Sequence, residues 1–248
     1  MIKVSAIVSA YNAAQFIRGR IDDLMAQTLF KEDELEIIVV NSASTDSTGM
    51  ILEREYLPHI TLIQTPWRES MYAAWNRAIK LAKGDYIVPA NCDDRFHPDS
   101  LRVLAMRLDE HPDTGLACAD SIVTTTPNAH WDERFAVCQE PPYERGILGF
   151  PPPDALTLTQ ACVIGNAPMW RKALHEAIGY FDESYLIAGD YEWALRLAAN
   201  DVKMDKYPAP PGLFYWNAGT QGRAYADQSA YESTRALLKW KPVIEANA

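Results

Sequence analysis

The sequence lacks the motifs that most directly mark a nucleotide enzyme. There is no GxGxxG and no GxxxxGK[ST], so neither a dinucleotide fingerprint nor a P-loop is present. It also lacks a basic stripe. Lys and Arg number 23 against 33 Asp and Glu, a formal net charge of −10, which disfavours a nucleic-acid partner because phosphates need cations to neutralise them. An anionic small molecule is compatible with that charge if a metal or a few local cations offset the field. The four cysteines, Cys92, Cys118, Cys138 and Cys162, form no CxxC or zinc-like spacing and read as reduced thiols of a cytosolic protein. No apolar run reaches membrane-spanning length, and the opening MIKVSAIVSAYN has no signal-peptide apolar region. The expectation is a cytoplasmic protein, with peripheral membrane contact left open. Repeats, low-complexity tracts and linkers are missing too, so residues 1–248 are expected to form one domain.

What is present is an alternation of short apolar runs with amphipathic stretches. Val4–Ala10, Leu35–Val40, Ile60–Gln64 and Tyr86–Ala90 read as strands. Between them, Ile17, Ile21 and Leu24 recur at helical spacing, Met50–Tyr56 follows the cluster Asn41 to Asp46, and Ser70–Lys83 ends at Gly84. This pattern predicts a doubly wound, mostly parallel α/β sheet of Rossmann type. Polar clusters close the first, second and fourth strands: Ser9-Ala10-Tyr11-Asn12, Asn41-Ser42 and Asn91-Cys92-Asp93-Asp94. In a parallel sheet these ends share one edge, where ligands bind. After a helix over 101–108 the alternation fails. Gly115–Thr125 and Leu158–Asn166 look like strands, and Trp170–Ala177 like a short helix. Pro127–Asp154, with Pro141-Pro142 and Pro151-Pro152-Pro153, reads as a long irregular loop expected to shield a reacting centre.

The adjacent acids Asp93 and Asp94 suit a hard divalent cation, Mn2+ or Mg2+. Their simpler reading is that Asp94 and Asp99 favour the start of the next helix. Asp190, before Tyr191-Glu192-Trp193, equally reads as a helix cap. His97 is explained as well by its place before Pro98 as by metal binding. Trp75, Trp170 and Trp193 sit at helical spacing and read as core. Trp131, Tyr143 and Trp216 lie in irregular stretches and suit an aromatic platform under a ligand.

Together these clusters resemble the family 2 glycosyltransferases, which have the GT-A fold. The resemblance runs from Val4 to about Leu197. Tyr11-Asn12 matches the family's first-strand ending. Asn41-Ser42-Ala43-Ser44-Thr45-Asp46 stands where the family has Asp-Asp-Gly-Ser-Thr-Asp. Asn91-Cys92-Asp93-Asp94 with Pro98 matches the metal motif Asp-x-Asp-Asp, and Phe181-Asp182-Glu183 with Gly189-Asp190 matches the Phe-Asp-Glu and Glu-Asp elements. The QxxRW motif of processive members is missing.

The resemblance implies a nucleotide-binding half, about residues 1–120, and an acceptor-side half, about 121–248. It implies inverting transfer of a sugar from a nucleotide diphosphate, taken as a UDP-sugar, to a glycan or lipid-linked acceptor. Asp190 would be the base, and Asp93 and Asp94 the metal ligands. The nucleotide-binding set it implies is Ser9, Tyr11, Asn12, Asn41, Ser42, Arg68, Asn76, Asn91, Cys92 and Asp93, with Arg223 a further phosphate candidate. Acids of the family are replaced at Asn41, Ser42 and Asn91. That keeps open an inactive nucleotide-sugar-binding module; a sugar nucleotidyltransferase would have a glycine after the first strand, and Ser9–Ala13 has none.

Overall fold

The computed structural model describes residues 1–131, 135–139, 145–165, 167–208, 212–217 and 225–247. The continuous apolar runs become neighbouring parallel strands. β1 (Val4–Ala10) pairs with β2 (Leu35–Ser42) from Val4 opposite Leu35 to Ala10 opposite Asn41, and on its other side with β4 (Tyr86–Pro89). β2 pairs with β3 (Thr61–Thr65), where Asn41 lies opposite Gln64. The ends of β1, β2 and β4 therefore finish at one edge. Alternation along β1 divides the core. Ile7 joins the layer under α4 (Met71–Leu81), while Val4, Ala6, Val8 and Ala10 face α1 (Ile17–Ala26). Ser70 starts α4 as its cap, its Oγ accepting from the Ala73 N–H at 3.2 Å. The stretch after Ser47 is a single α turn, α3 (Thr48–Ile51), that widens into a π turn over Leu52–Tyr56.

The sequence reading of the second half is corrected at three places. The expected helix over 170–177 begins instead as a strand, β9 (Met169–Arg171). It lies antiparallel between β4 and β6 (Thr114–Cys118), with only Leu174–Ile178 helical. Met169 and Trp170 are buried in opposite layers, and three residues are too few to display a period of two. The expected strand from Leu158 is also absent. Asp154 caps a short helix over Ala155–Leu158, its Oδ1 accepting from the Thr157 N–H at 2.7 Å, and no regular element follows through Gly165; Asn166 lies outside the described residues. The run Gly115–Thr125 is two strands in two sheets, β6 and β7 (Ser121–Thr124).

The main sheet has seven strands, ordered β10-β6-β9-β4-β1-β2-β3, with β10 being Lys203–Lys206. A second sheet orders β5 (Arg95–Phe96), β11 (Gly212–Tyr215), β7 and β8 (Ile147–Leu148). The proline-rich segment is thus not wholly irregular. β8 pairs with β7, and the Cys138 N–H donates to Val123 O at 2.8 Å. A long final helix, α9 (Ala226–Asn247), packs on α8 (Gly189–Ala199) through Ala236 and Ile244. No described helix is long and apolar enough to cross a membrane.

Candidate active site

The loop after β1 and the loop after β2 are bolted together by short polar side chains. Asn12, in a left-handed backbone conformation (φ 48°), accepts from the Thr45 N–H at 2.8 Å, and its own N–H donates to Ser44 Oγ at 2.9 Å. Ala13 N–H donates to Thr48 Oγ1 and Ala14 N–H to Asp46 Oδ2. This fixes the edge on which Tyr11 stands. The Arg68 guanidinium lies 4.1 Å above the Tyr11 ring, with Trp67 exposed beside it, so the two predicted residues meet as a cation–aromatic pair. Ser9 is half-buried at the end of β1, where its carbonyl accepts from the Cys92 thiol at 3.4 Å.

Asn41 and Ser42 are buried at the end of β2, 2% and 1% exposed, and each keeps an unpartnered oxygen. A relay sets the orientation of the Asn41 amide. Glu53 Oε1, which as a carboxylate oxygen only accepts, takes the Gln64 Nε2–H at 2.5 Å. Gln64 Oε1 is then obliged to face the Asn41 amide, and accepts from its Nδ2 at 2.7 Å. Asn41 Oδ1 is left as the atom with nothing to bond. Flipping either amide would set oxygen against oxygen. The residue that replaces the expected acid thus presents the same kind of group, an acceptor.

The loop after β4 separates its two acids. Asp94 is 2% exposed, its Oδ1 accepting from the Tyr215 N–H of β11 at 3.1 Å and its Oδ2 from Asn91 Nδ2 at 3.2 Å. It ties the loop to the second sheet. Asp93 is half-buried, and its carboxylate has no partner in another residue among those described; burial holds its pKa above the ordinary carboxylate value. Beneath the loop lie two buried arginines. Arg95 donates to the Cys92 and Asp94 carbonyls at 2.9 and 2.5 Å, and Arg20 stacks on Phe96 at 4.3 Å while pairing with Asp23. Burial, with Arg95 nearby, lowers the Arg20 pKa to about 9. Cys92 points inward, its thiol pushed up to about 12 by burial and by Asp93.

A divalent cation would be held here by Asp93, with the Asn91 amide, bonded through Nδ2 to Asp94, two residues before it. The described residues contain no cluster of three or more His, Cys, Asp or Glu able to hold an ion without other ligands. The donor set therefore fits an ion that takes its remaining oxygens from a diphosphate and water, the usual habit of Mg2+. His97 is turned away, its Nδ1 accepting from the Asp99 N–H and its ring packed on Trp131 at 5.1 Å.

Across the sheet edge, Asp190 opens α8. The N-cap is Ala188, with no side-chain cap bond, so Asp190 sits in the first turn of α8 and is not the cap expected from the sequence; its Oδ1 accepts from the Tyr191 N–H at 2.8 Å and lies 3.1 Å from Tyr72 Oη. Oδ2 has no partner among the described residues. Asp190 and Asn91 face one cavity of about 320 Å³, walled by Trp75, Trp170, Phe181 and Trp193. Burial raises the Asp190 pKa. The three tryptophans are core, as expected, and are also the cavity's wall. Asn76 is corrected: it is 3% exposed, and its amide is spent on Phe181 O, Phe181 N–H and Glu183 Oε1. Trp216 anchors to β7 through its N–H and Thr124 O. Tyr143 and Arg223 lie outside the described residues.

One functional element carried no sequence signal. Glu232 of α9 is fully buried, and its carboxylate accepts the N–H groups of Leu186, Ile187 and Ala188, the three residues leading to Gly189-Asp190. Its helix lies beyond the motifs, and a lone Glu among polar residues reads as solvated surface.

A seven-stranded, mostly parallel sheet with a half-buried acid after β4 and a second acid opening a helix across a cavity is the GT-A arrangement of glycosyltransferases. The family model described as glycosyl transferase family 2 matches residues 5–177, and the chain belongs to that family. The chondroitin synthase of Pasteurella multocida is 30% identical over 198 residues; these are 79% of this chain but only 19% of that protein. Among solved structures, S. aureus TarS 1-349 in complex with UDP-GlcNAc superposes with a TM-score of 0.72 at 21% identity, covering 95% of this chain and 65% of that 1-349 chain. The mannosyltransferase PcManGT from Pyrobaculum calidifontis, in complex with GDP-Man and Mn2+, gives 0.65 at 21% identity, covering 99% of this chain and 69% of that one. At these identities the solved structures establish the shared fold.

Proposed function

We propose that this glycosyltransferase moves a sugar from a uridine diphosphate donor to a hydroxyl of a glycan or glycolipid acceptor, with inversion. The observation that carries the reading is the Asp190 carboxylate, with one oxygen held and the other free at the wall of a cavity shared with the Asp93 loop. Support for the base comes from the relay through Glu53 and Gln64, which leaves Asn41 an acceptor suited to the imide N–H of uracil. TarS was solved with UDP-GlcNAc in the same fold. Tyr11 would stack on the base once Arg68, 4.1 Å over its ring, moves aside toward the phosphates, and Ser9, Asn12 and Ser42 would line its edge.

Asp93 and Asn91 would hold the divalent ion against the diphosphate. When bound, the ion supplies Lewis-acid stabilisation of the departing phosphate. The chain's own contribution is at the acceptor. Asp190 Oδ2 takes the proton from the attacking hydroxyl as the bond to the anomeric carbon forms and the diphosphate leaves from the opposite face. The raised pKa makes the carboxylate a stronger base. The aromatic wall excludes water that would otherwise hydrolyse the donor.

Asp190→Asn tests this directly. Asn keeps an Oδ1 acceptor for the Tyr191 N–H and the Tyr72 hydroxyl, so folding and UDP binding should persist, while transfer falls by about 10²–10⁴-fold. A variant that folds, binds UDP and turns over at the wild-type rate would remove Asp190 from the mechanism.

A further inference from the structure

We propose that Tyr72, on the inner face of α4, is the positioning residue that aims the Asp190 carboxylate, with Gly189 as the seat that lets it do so. This rests on Asp190 being the base. Tyr72 is fully buried, its ring stacked on Phe181 at 5.7 Å and edge-on to Trp75 at 5.4 Å. Its hydroxyl reaches two acceptors on one loop, Ile187 O at 2.6 Å and Asp190 Oδ1 at 3.1 Å. The loop's entry and its functional end thus hang on one atom. Between them stands Gly189, where an added Cβ would lie 2.6–2.8 Å from three carbons of the Tyr72 ring. Only a residue without a side chain allows the ring to come that close.

The division of labour between the two carboxylate oxygens follows from this. Oδ1 is held by Tyr72 and the Tyr191 N–H, which fixes the side chain at the cavity that Asp190 lines, and Oδ2 has no partner among the described residues. The phenol carries one proton and has two acceptors. While Asp190 is ionised the proton favours the carboxylate; once Asp190 is neutral, the hydroxyl keeps a good partner in Ile187 O. The clamp therefore survives the protonation change that catalysis imposes.

The charged and titratable groups that face Asp190 are Tyr72 of α4, Glu232 of α9 and Cys162 from the segment before β9; Tyr191 contributes its backbone N–H, its hydroxyl donating to Leu158 O. Burial raises Asp190, Glu232 adds to that, and the hydrogen bonds from Tyr191 N–H and Tyr72 oppose it. Burial also raises the Cys162 thiol and holds Tyr72 well above the ordinary phenol value, so both remain neutral donors.

Tyr72→Phe removes the hydroxyl and leaves the ring. Transfer would be followed against pH with a UDP-sugar donor, alongside UDP affinity and thermal melting. The expected result is unchanged UDP affinity, roughly tenfold lower kcat, and an acid limb of kcat/KM moved up by about one pH unit, the loss of one hydrogen bond to a charged acceptor. Gly189→Ala should reproduce the kcat loss by displacing the ring, and in the Tyr72→Phe background should add less than it does alone. If Tyr72 only braces the fold, Tyr72→Phe lowers the melting temperature while the acid limb stays where it was, and the positioning role is overturned. The underlying base assignment is tested separately. Wild-type turnover by Asp190→Asn overturns both, whereas an inactive Asp190→Asn with an unmoved Tyr72→Phe profile overturns only this inference.

Discussion

At the scale of single residues, the two adjacent acids of the Asp93 loop have opposite fates. Asp94 is bonded to Tyr215 and Asn91, whereas the half-buried Asp93 has no hydrogen-bond partner in another described residue. One protein carboxylate is a weak anchor for a hard cation, so Mn2+ should bind the protein poorly alone and tightly only with UDP. Calorimetric titration of Mn2+ with and without UDP checks this; strong binding without nucleotide would show a second carboxylate ligand. Asp93→Ala should abolish the metal enhancement of UDP affinity. Asp94→Asn should keep it and cost about 1–3 kcal/mol of stability, since a buried acceptor loses its charge. The relay at Asn41 makes a separate prediction. Gln64→Leu frees the Asn41 amide to rotate, so UDP affinity should fall roughly three- to tenfold and the preference for UDP over CDP should narrow. A preference that survives Gln64→Leu intact would mean that the relay does not set base choice.

At the scale of elements, α9 is the piece that holds the Asp190 loop from outside. Burial pushes the Glu232 carboxyl up, but the N–H groups of Ala188, Ile187 and Leu186, with Gln228, outweigh it and hold it below its ordinary 4.5. The sign follows: a lowered folded-state pKa stabilises the fold above the unfolded value, and that stability is lost as pH falls through the folded one. Acid titration followed by circular dichroism should therefore show Glu232→Gln with a flatter pH dependence below about 4.5 and, at neutral pH, a loss of about 1.5–3 kcal/mol. The nucleotide half was legible because its strands are long apolar runs and its loops carry polar clusters of fixed spacing. β9 was not, since Met169 and Trp170 are buried on opposite faces of a three-residue strand and read as helix. α9 was not, because Pro242 stands inside it and its buried contacts reduce to Glu232, Ala236 and Ile244. Of the candidate site, the loops were readable from motifs. The burial of Asp94 and Asn76 was not, because it depends on partners 121 and 105 residues away.

At the scale of the whole molecule, the strands that carry the nucleotide loops and the helix that carries Asp190 share one core through α4, Trp170 and Trp193. Ligand binding should therefore stabilise the protein as a unit. UDP with Mn2+ at a hundredfold excess over its dissociation constant should add about 2.7 kcal/mol. At about 2–4 °C per kcal/mol that is a rise of several degrees in Tm, and a chelator should remove most of it. An equal rise with chelator present would show that donor binding needs no metal. The tryptophan wall of the cavity has an optical consequence. Trp75, Trp170 and Trp193 are buried around the cavity that Asp190 lines, the proposed acceptor site, whereas Trp67 stands exposed beside Arg68 at the proposed nucleotide site. Buried indoles emit at shorter wavelength than hydrated ones. Donor and acceptor should therefore report on opposite sides of one emission band, and the order in which they bind can be read from the unlabelled protein by its own light.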